Sequence, residues 1–175
     1  MRLEMQVVEF PLTSASPSSF RFHTISESDR ARTSAPGLRA FVKIADRLGL
    51  NGTERIAILG HPARSTYYRW IKKAYNHQPL TLPLDTLLRI SAILGIFSSL
   101  STLFEDEAQA KLWFEGPHQG PIFAGISPME CIVNDGIVGL MTVRRYLDAW
   151  CGGNLNSGAK SNSFEPITEH DLLFV

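Results

Sequence analysis

The chain has 175 residues, 44% of them apolar and 19% charged, with 17 basic and 17 acidic side chains. This is an ordinary globular composition and excludes a wholly disordered chain. The neutral total hides a division: residues 1–104 carry 13 Lys/Arg against 7 Asp/Glu, and residues 105–175 carry 4 against 10, so two parts with different partners are expected.

The start, MRLEMQVVEFPLTS, lacks a basic stretch followed by an apolar run and does not read as a signal peptide. Residues 1–37, rich in Ser, Pro, Thr and Arg, read as a flexible N-terminal extension. The most apolar charge-free run, Ile90 to Phe104, is broken by Gly95 and by serines and is short for a membrane span. Cys131 and Cys151 are too few for a disulfide framework. These features describe a cytoplasmic protein with no membrane partner.

From residue 38 the spacing is helical, and no sustained alternation suggests a sheet. An all-α fold is expected. Leu38, Phe41, Ala45 and Leu48 form the inward stripe of a helix stopped at Gly49. Thr53 is placed to cap a short helix through Leu59, with Ile56 and Leu59 inward. Gly60-His61-Pro62 makes a turn, and a helix from Ala63 to Ala74 follows, burying Ala63, Tyr67, Trp70 or Ile71, and Ala74. After a Pro-containing loop, Leu84 to Leu94 reads as a helix with Leu84, Leu87, Leu88 and Ser91 on one face and Gly95 ending it. A short apolar helix is expected over Ser98 to Phe104. The acidic part begins with Glu105, Asp106 and Glu107 in a first turn. That helix ends at Gly116-Pro117. Ser127-Pro128-Met129-Glu130 is a strong start signal, with serine at the cap, proline next and glutamate three residues on. Gly136 ends that helix, and a last one runs from Ile137 to Trp150 with Leu140, Val143, Leu147 and Trp150 on one stripe. Residues 151–163 read as a linker to the C-terminal tail.

Leu59 to Lys73 has the pattern of a helix-turn-helix. Its second helix offers Arg64, Ser65, Tyr68, Arg69, Lys72 and Lys73 outward, and no acid stands between His61 and Gln78. Arginine can make paired hydrogen bonds to a guanine edge, and residues early in the second helix usually meet bases. This points Arg64, Ser65 and Tyr68 at bases, and Lys72 and Lys73 at phosphates. The competing reading is a solvated basic helix face.

The acidic part offers no catalytic residues. Gly125-Ile126-Ser127-Pro128 lacks the second glycine of a nucleophile elbow. His118, Cys131 and Cys151 lack metal-ligand spacing, and there is no phosphate-binding glycine loop. No metal, no cofactor and no enzymatic activity are expected. A weaker alternative is a small enzyme using His118 or Cys131.

The order of these motifs resembles the Xre/MbcA/ParS antitoxins. The resemblance is carried by Ser65 to Trp70 (STYYRW) and by Leu103-Phe104, Ala110, Trp113, Pro117, Gly125, Ser127-Pro128, Gly136, Val143, Leu147 and Gly152. It covers about residues 38–153. It implies a DNA-binding domain over 38–104 that represses its own operon, and a toxin-binding domain over 105–153. The toxin implied is of RES type, an enzyme that degrades NAD. The resemblance also implies a homodimer, or a higher hetero-oligomer with toxin, and partner contacts at Trp113 and Trp150. The tail over 154–175 ends in Leu172, Leu173, Phe174 and Val175 behind Glu169 and Asp171. Those groups suit a partner's pocket lined by basic groups, and equally a return onto the chain's own domain. The runner-up function is a transcription regulator whose second domain dimerises or senses a ligand.

Overall fold

A computed structural model describes residues 26–152, and these are all-helical, with seven helices and no strand. Helix α1 spans Glu27–Arg47. The flexible stretch expected up to residue 37 is thus corrected from Glu27 onward. Ser26-Glu27-Ser28-Asp29 is a helix start: the Ser26 hydroxyl accepts from the Asp29 N–H at 3.1 Å, and Glu27 and Asp29 lie at the positive end of the dipole. Buried Ser34 adds a tertiary tie. Its hydroxyl donates to the Arg30 carbonyl at 2.6 Å and accepts from the Leu82 N–H at 2.9 Å. Leu38, Phe41, Ala45 and Leu48 are buried, as their spacing requires.

Helix α2 spans Gly52–Ile58. Its cap is Asn51, not Thr53. The Asn51 side chain accepts from the Thr53 and Glu54 N–H groups at 2.9 and 3.0 Å, and Glu54 accepts from the Asn51 N–H at 2.7 Å. Ala57, Ile58 and Leu59 point inward, while Ile56 is only half-buried. Gly60 and His61 both adopt positive φ in the turn that follows. Helix α3 is Arg64–Tyr75. Ala63 caps it and is exposed, not buried, because it precedes the helix. The expected loop from Asn76 to Pro83 is there, but it tucks Leu80 and Leu82 into the core.

Helix α4 runs unbroken from Leu84 to Leu103. Gly95 does not end it, and no separate helix starts at Ser98. Burial of Ile90, Ile93, Ile96 and Leu100 outweighs a glycine penalty of about 1 kcal/mol. The glycine makes room: a Cβ there would collide with the Arg144 guanidinium. The face that carries Leu84, Leu87, Leu88 and Ser91 is the outer one, with Leu84, Leu88 and Ser91 exposed and Leu87 half-buried. A helix apolar on nearly all sides gives no stripe to choose by. α4 is long and apolar enough to span a membrane by length and composition. Here it packs against α1 on one side and the last helix on the other.

Helix α5 is Glu107–Glu115, capped by Asp106, whose side chain accepts from the Ala108 N–H at 3.0 Å. Helix α6 is Pro128–Asp135, with Ser127 and Glu130 forming the reciprocal cap their order promised. Helix α7 is Ile137–Cys151. Leu140, Val143 and Leu147 are fully buried, but Trp150 on the same stripe is 45% exposed. One buried cluster joins residues from α1 through α7.

Candidate functional site

Two surfaces carry functional chemistry. The first is α3. Tyr67 is buried, and burial pushes its hydroxyl pKa up, against the opposing pull of the Arg55 charge. Arg55 itself donates to the Leu50 carbonyl at 2.7 Å and to Asp46 at 2.8 Å, locking the α1–α2 corner under α3. At the far end Arg39 donates to the Ala74 carbonyl at 2.7 Å. So held, α3 turns Arg64, Ser65, Tyr68, Arg69 and Lys72 to solvent, and Lys73 is half-exposed. The Arg64 guanidinium lies 5.7 Å from the centre of the Tyr68 ring. Among the described residues, none of Arg64, Arg69, Lys72 and Lys73 pairs with a carboxylate.

The second surface is aromatic. Phe104 at the end of α4, Trp113 of α5, His118 and Phe123 of the following loop, and Tyr146 and Trp150 of α7 meet in one cluster. Trp113 is its centre. Its ring stacks on Tyr146 at 6.0 Å and 11°, and lies 6.0 Å from Trp150 and 4.9 Å from His118. Trp150 stands edge-on to Phe104 at 6.0 Å. The loop is pinned in both directions, with the Gly125 N–H donating to the His118 carbonyl at 2.8 Å and the His118 N–H to the Ile126 carbonyl at 3.2 Å. The His118 ring makes a 2.7 Å hydrogen bond with the Trp113 carbonyl. This fixes Trp113 from below while Trp113, Tyr146 and Trp150 stay partly exposed. Clustered, pre-ordered Trp and Tyr rings with polar tips are the chemistry of protein–protein hot spots.

The structure thus brings Trp113 and Trp150 together. Sequence reasoning missed Phe123 and Tyr146, and weighed His118 only as a ligand or catalyst. The signal was there in Tyr146 and Trp150, one helical turn apart. Cys131 does not suit nucleophilic chemistry. It is buried, and burial and the Asp135 carboxylate push its thiol pKa up. Glu169, Asp171, Leu172, Leu173, Phe174 and Val175 lie outside the described residues.

Residues 99–153 match the family described as the antitoxin Xre/MbcA/ParS C-terminal toxin-binding domain. This stretch is an Xre/MbcA/ParS-type toxin-binding domain. The whole aromatic cluster, Phe104 to Trp150, falls inside the matched stretch. The chain is also 40% identical over 143 residues to the uncharacterized protein y4oB of Sinorhizobium fredii (strain NBRC 101917 / NGR234), covering 82% of this chain and 98% of that one. A toxin-binding domain implies a toxin as partner. The basic α3 lies outside the matched residues.

Proposed function

We propose that this antitoxin neutralises a RES-type, NAD-degrading toxin through residues 105–175 and represses its own operon through residues 38–104. It works by binding, with no reaction, metal or cofactor of its own. The observation that carries the reading is the half-exposed Trp113–Tyr146–Trp150 cluster inside the toxin-binding domain. The tail begins at residue 154, four residues after Trp150, so its Glu169, Asp171 and apolar Leu172 to Val175 are joined closely enough along the chain to reach a toxin seated on the rings. Their acids suit basic groups that hold a dinucleotide's phosphates.

The DNA half of the proposal rests on α3 and its cations, which pair with no carboxylate among the described residues. Arg64, Ser65, Tyr68 and Arg69 read bases, and Lys72 and Lys73 hold phosphates. Arg64→Ala should cost about 1–3 kcal/mol on the operator and relax specificity at one position. Lys72→Ala should weaken binding to all sequences alike and lower the salt slope by about 1. Equal loss on every sequence for Arg64→Ala removes it as a base reader.

The toxin half is tested by co-expression with the neighbouring reading frame and assay of cellular NAD. Depletion by the neighbour alone, and rescue by this chain, is the expected result. Deleting residues 164–175 should weaken rescue more than DNA binding. A truncated chain that rescues as well as the full one refutes the role of the tail.

A further inference from the structure

The outer face of α4 serves neither surface above. Leu87, Leu88, Ser91 and Leu94 form a groove there with Thr33 and Gly37 of α1. Leu88 is 45% exposed, and no charged side chain lines the groove. The groove lies outside the toxin-binding match at 99–153, and a phosphate finds no cation in it. An exposed apolar patch of this kind marks a contact surface.

Its α1 wall is weaker than the described fold requires. Glycine in mid-helix destabilises α1 relative to alanine. A Cβ on Gly37 would sit 3.6 Å from the Ile90 Cγ2, an ordinary contact, so the packing among the described residues does not demand glycine there. What the glycine leaves is a notch floored by Ile90, open to an apolar side chain from elsewhere.

The tether chooses that side chain. Residues 1–25, outside the described residues, join the fold at Ser26, at the Thr33 end of the groove. Phe20 stands six residues before Ser26, up to about 20 Å of extended chain. Gly37 stands eleven residues after it, about 16 Å along the helix. Phe20 and Phe22 alternate with Arg21 and His23, so an extended segment turns both rings to one face and the polar residues to the other. The phenylalanine face matches a groove without charge. So short a tether also holds the rings near the groove at an effective concentration of about millimolar. The C-terminal tail fits less well. It leaves α7 at Cys151, whose thiol donates to the Ser99 carbonyl at 3.6 Å, past the Leu94 end of the groove, and its apolar residues come with Glu169 and Asp171.

We propose that residues 20–22 of the chain's own N-terminal extension lie in this groove, with the rings of Phe20 and Phe22 against Leu88, Ile90 and Leu94. The extension is a built-in cover for the apolar side of α4. The contact needs neither toxin nor DNA, so it stands or falls apart from the function proposed above.

The test is limited trypsin digestion of the full chain, with cleavage after Arg21 followed by mass spectrometry. Arg21 stands between the two rings, so a seated segment withholds the Arg21–Phe22 bond from the protease. Leu88→Glu sets a charge in the groove without opening the core. It should speed cleavage after Arg21 about tenfold, as the open population rises, with helical circular dichroism and cleavage inside the helices unchanged. Leu88→Ser, a milder change, should fall between it and wild type. Wild-type protection should survive roughly hundredfold dilution, because the contact is intramolecular. Equal cleavage of wild type and both Leu88 variants overturns the proposal. So does protection that dilution removes, since a second copy then covers the groove.

Discussion

Single polar side chains decide where this chain's backbone can go. Ser34 is the clearest case, because its hydroxyl satisfies the N–H of fully buried Leu82 across 48 positions of sequence. Ser34→Ala strands that N–H and should cost about 1–3 kcal/mol. Thermal melting checks it; an unchanged midpoint contradicts the bond's role. Glu130 works differently. The Ser127 backbone N–H, at 2.9 Å, and then the Ser127 hydroxyl hold its carboxyl below the ordinary value of 4.5. A pKa lowered by folding stabilises the fold where the carboxylate is ionised, above that ordinary value, and this stabilisation is lost as pH falls through the folded value. Acid melts should therefore show a shallower acid limb for Glu130→Gln than for wild type. Parallel curves contradict this.

At the scale of helices, ends were more legible than faces. Ser127-Pro128-Met129-Glu130 gave α6 its start because cap, proline and glutamate act locally, within one turn. The same logic at Ser26 is equally local but sits in Ser-rich sequence that resembles linker, and at Asn51 it competes with Thr53, a second cap residue two positions on. α4 was least legible. Its direction of burial depends on α1 and α7, which lie far away in sequence, and Gly95 is explained only by Arg144 some fifty residues on. The aromatic site shows the same limit. Trp113 and Trp150 stood out as single residues, but only the pinned loop from His118 to Ile126 brings Phe123 under them. α3 itself begins without a side-chain cap at Ala63. Ala63→Ser and Ala63→Asp should each stabilise the fold by about 0.5–1 kcal/mol. Only the aspartate should weaken DNA binding, since it sets a negative charge at the end of α3 where Arg64 and Ser65 are proposed to meet bases. Equal DNA affinity for both variants argues against DNA at that end.

Across the whole molecule the two charge halves are not two separate bodies. Their cores are continuous, because α4 packs on α1 and on α7 at once. Opposite charge contributes little to this union. Among the described residues the ion pair that joins them, Arg47 with Glu107 at 3.6 Å, is exposed on both sides and is worth about 0–1 kcal/mol. On the proposed function the opposed charges serve outside partners, cationic α3 meeting phosphates and the acidic half a toxin surface. On the same proposal the toxin seats on the rings of α5 and α7. That seating is tested most directly by measuring the affinity of the co-expressed toxin for wild type and for Trp150→Ala, whose 45% exposed ring can be removed without opening the core. A hot-spot ring predicts a loss of about 2 kcal/mol or more, roughly thirtyfold in Kd, with melting and DNA affinity unchanged. A Trp150→Ala variant that holds the toxin as tightly as wild type would contradict the account.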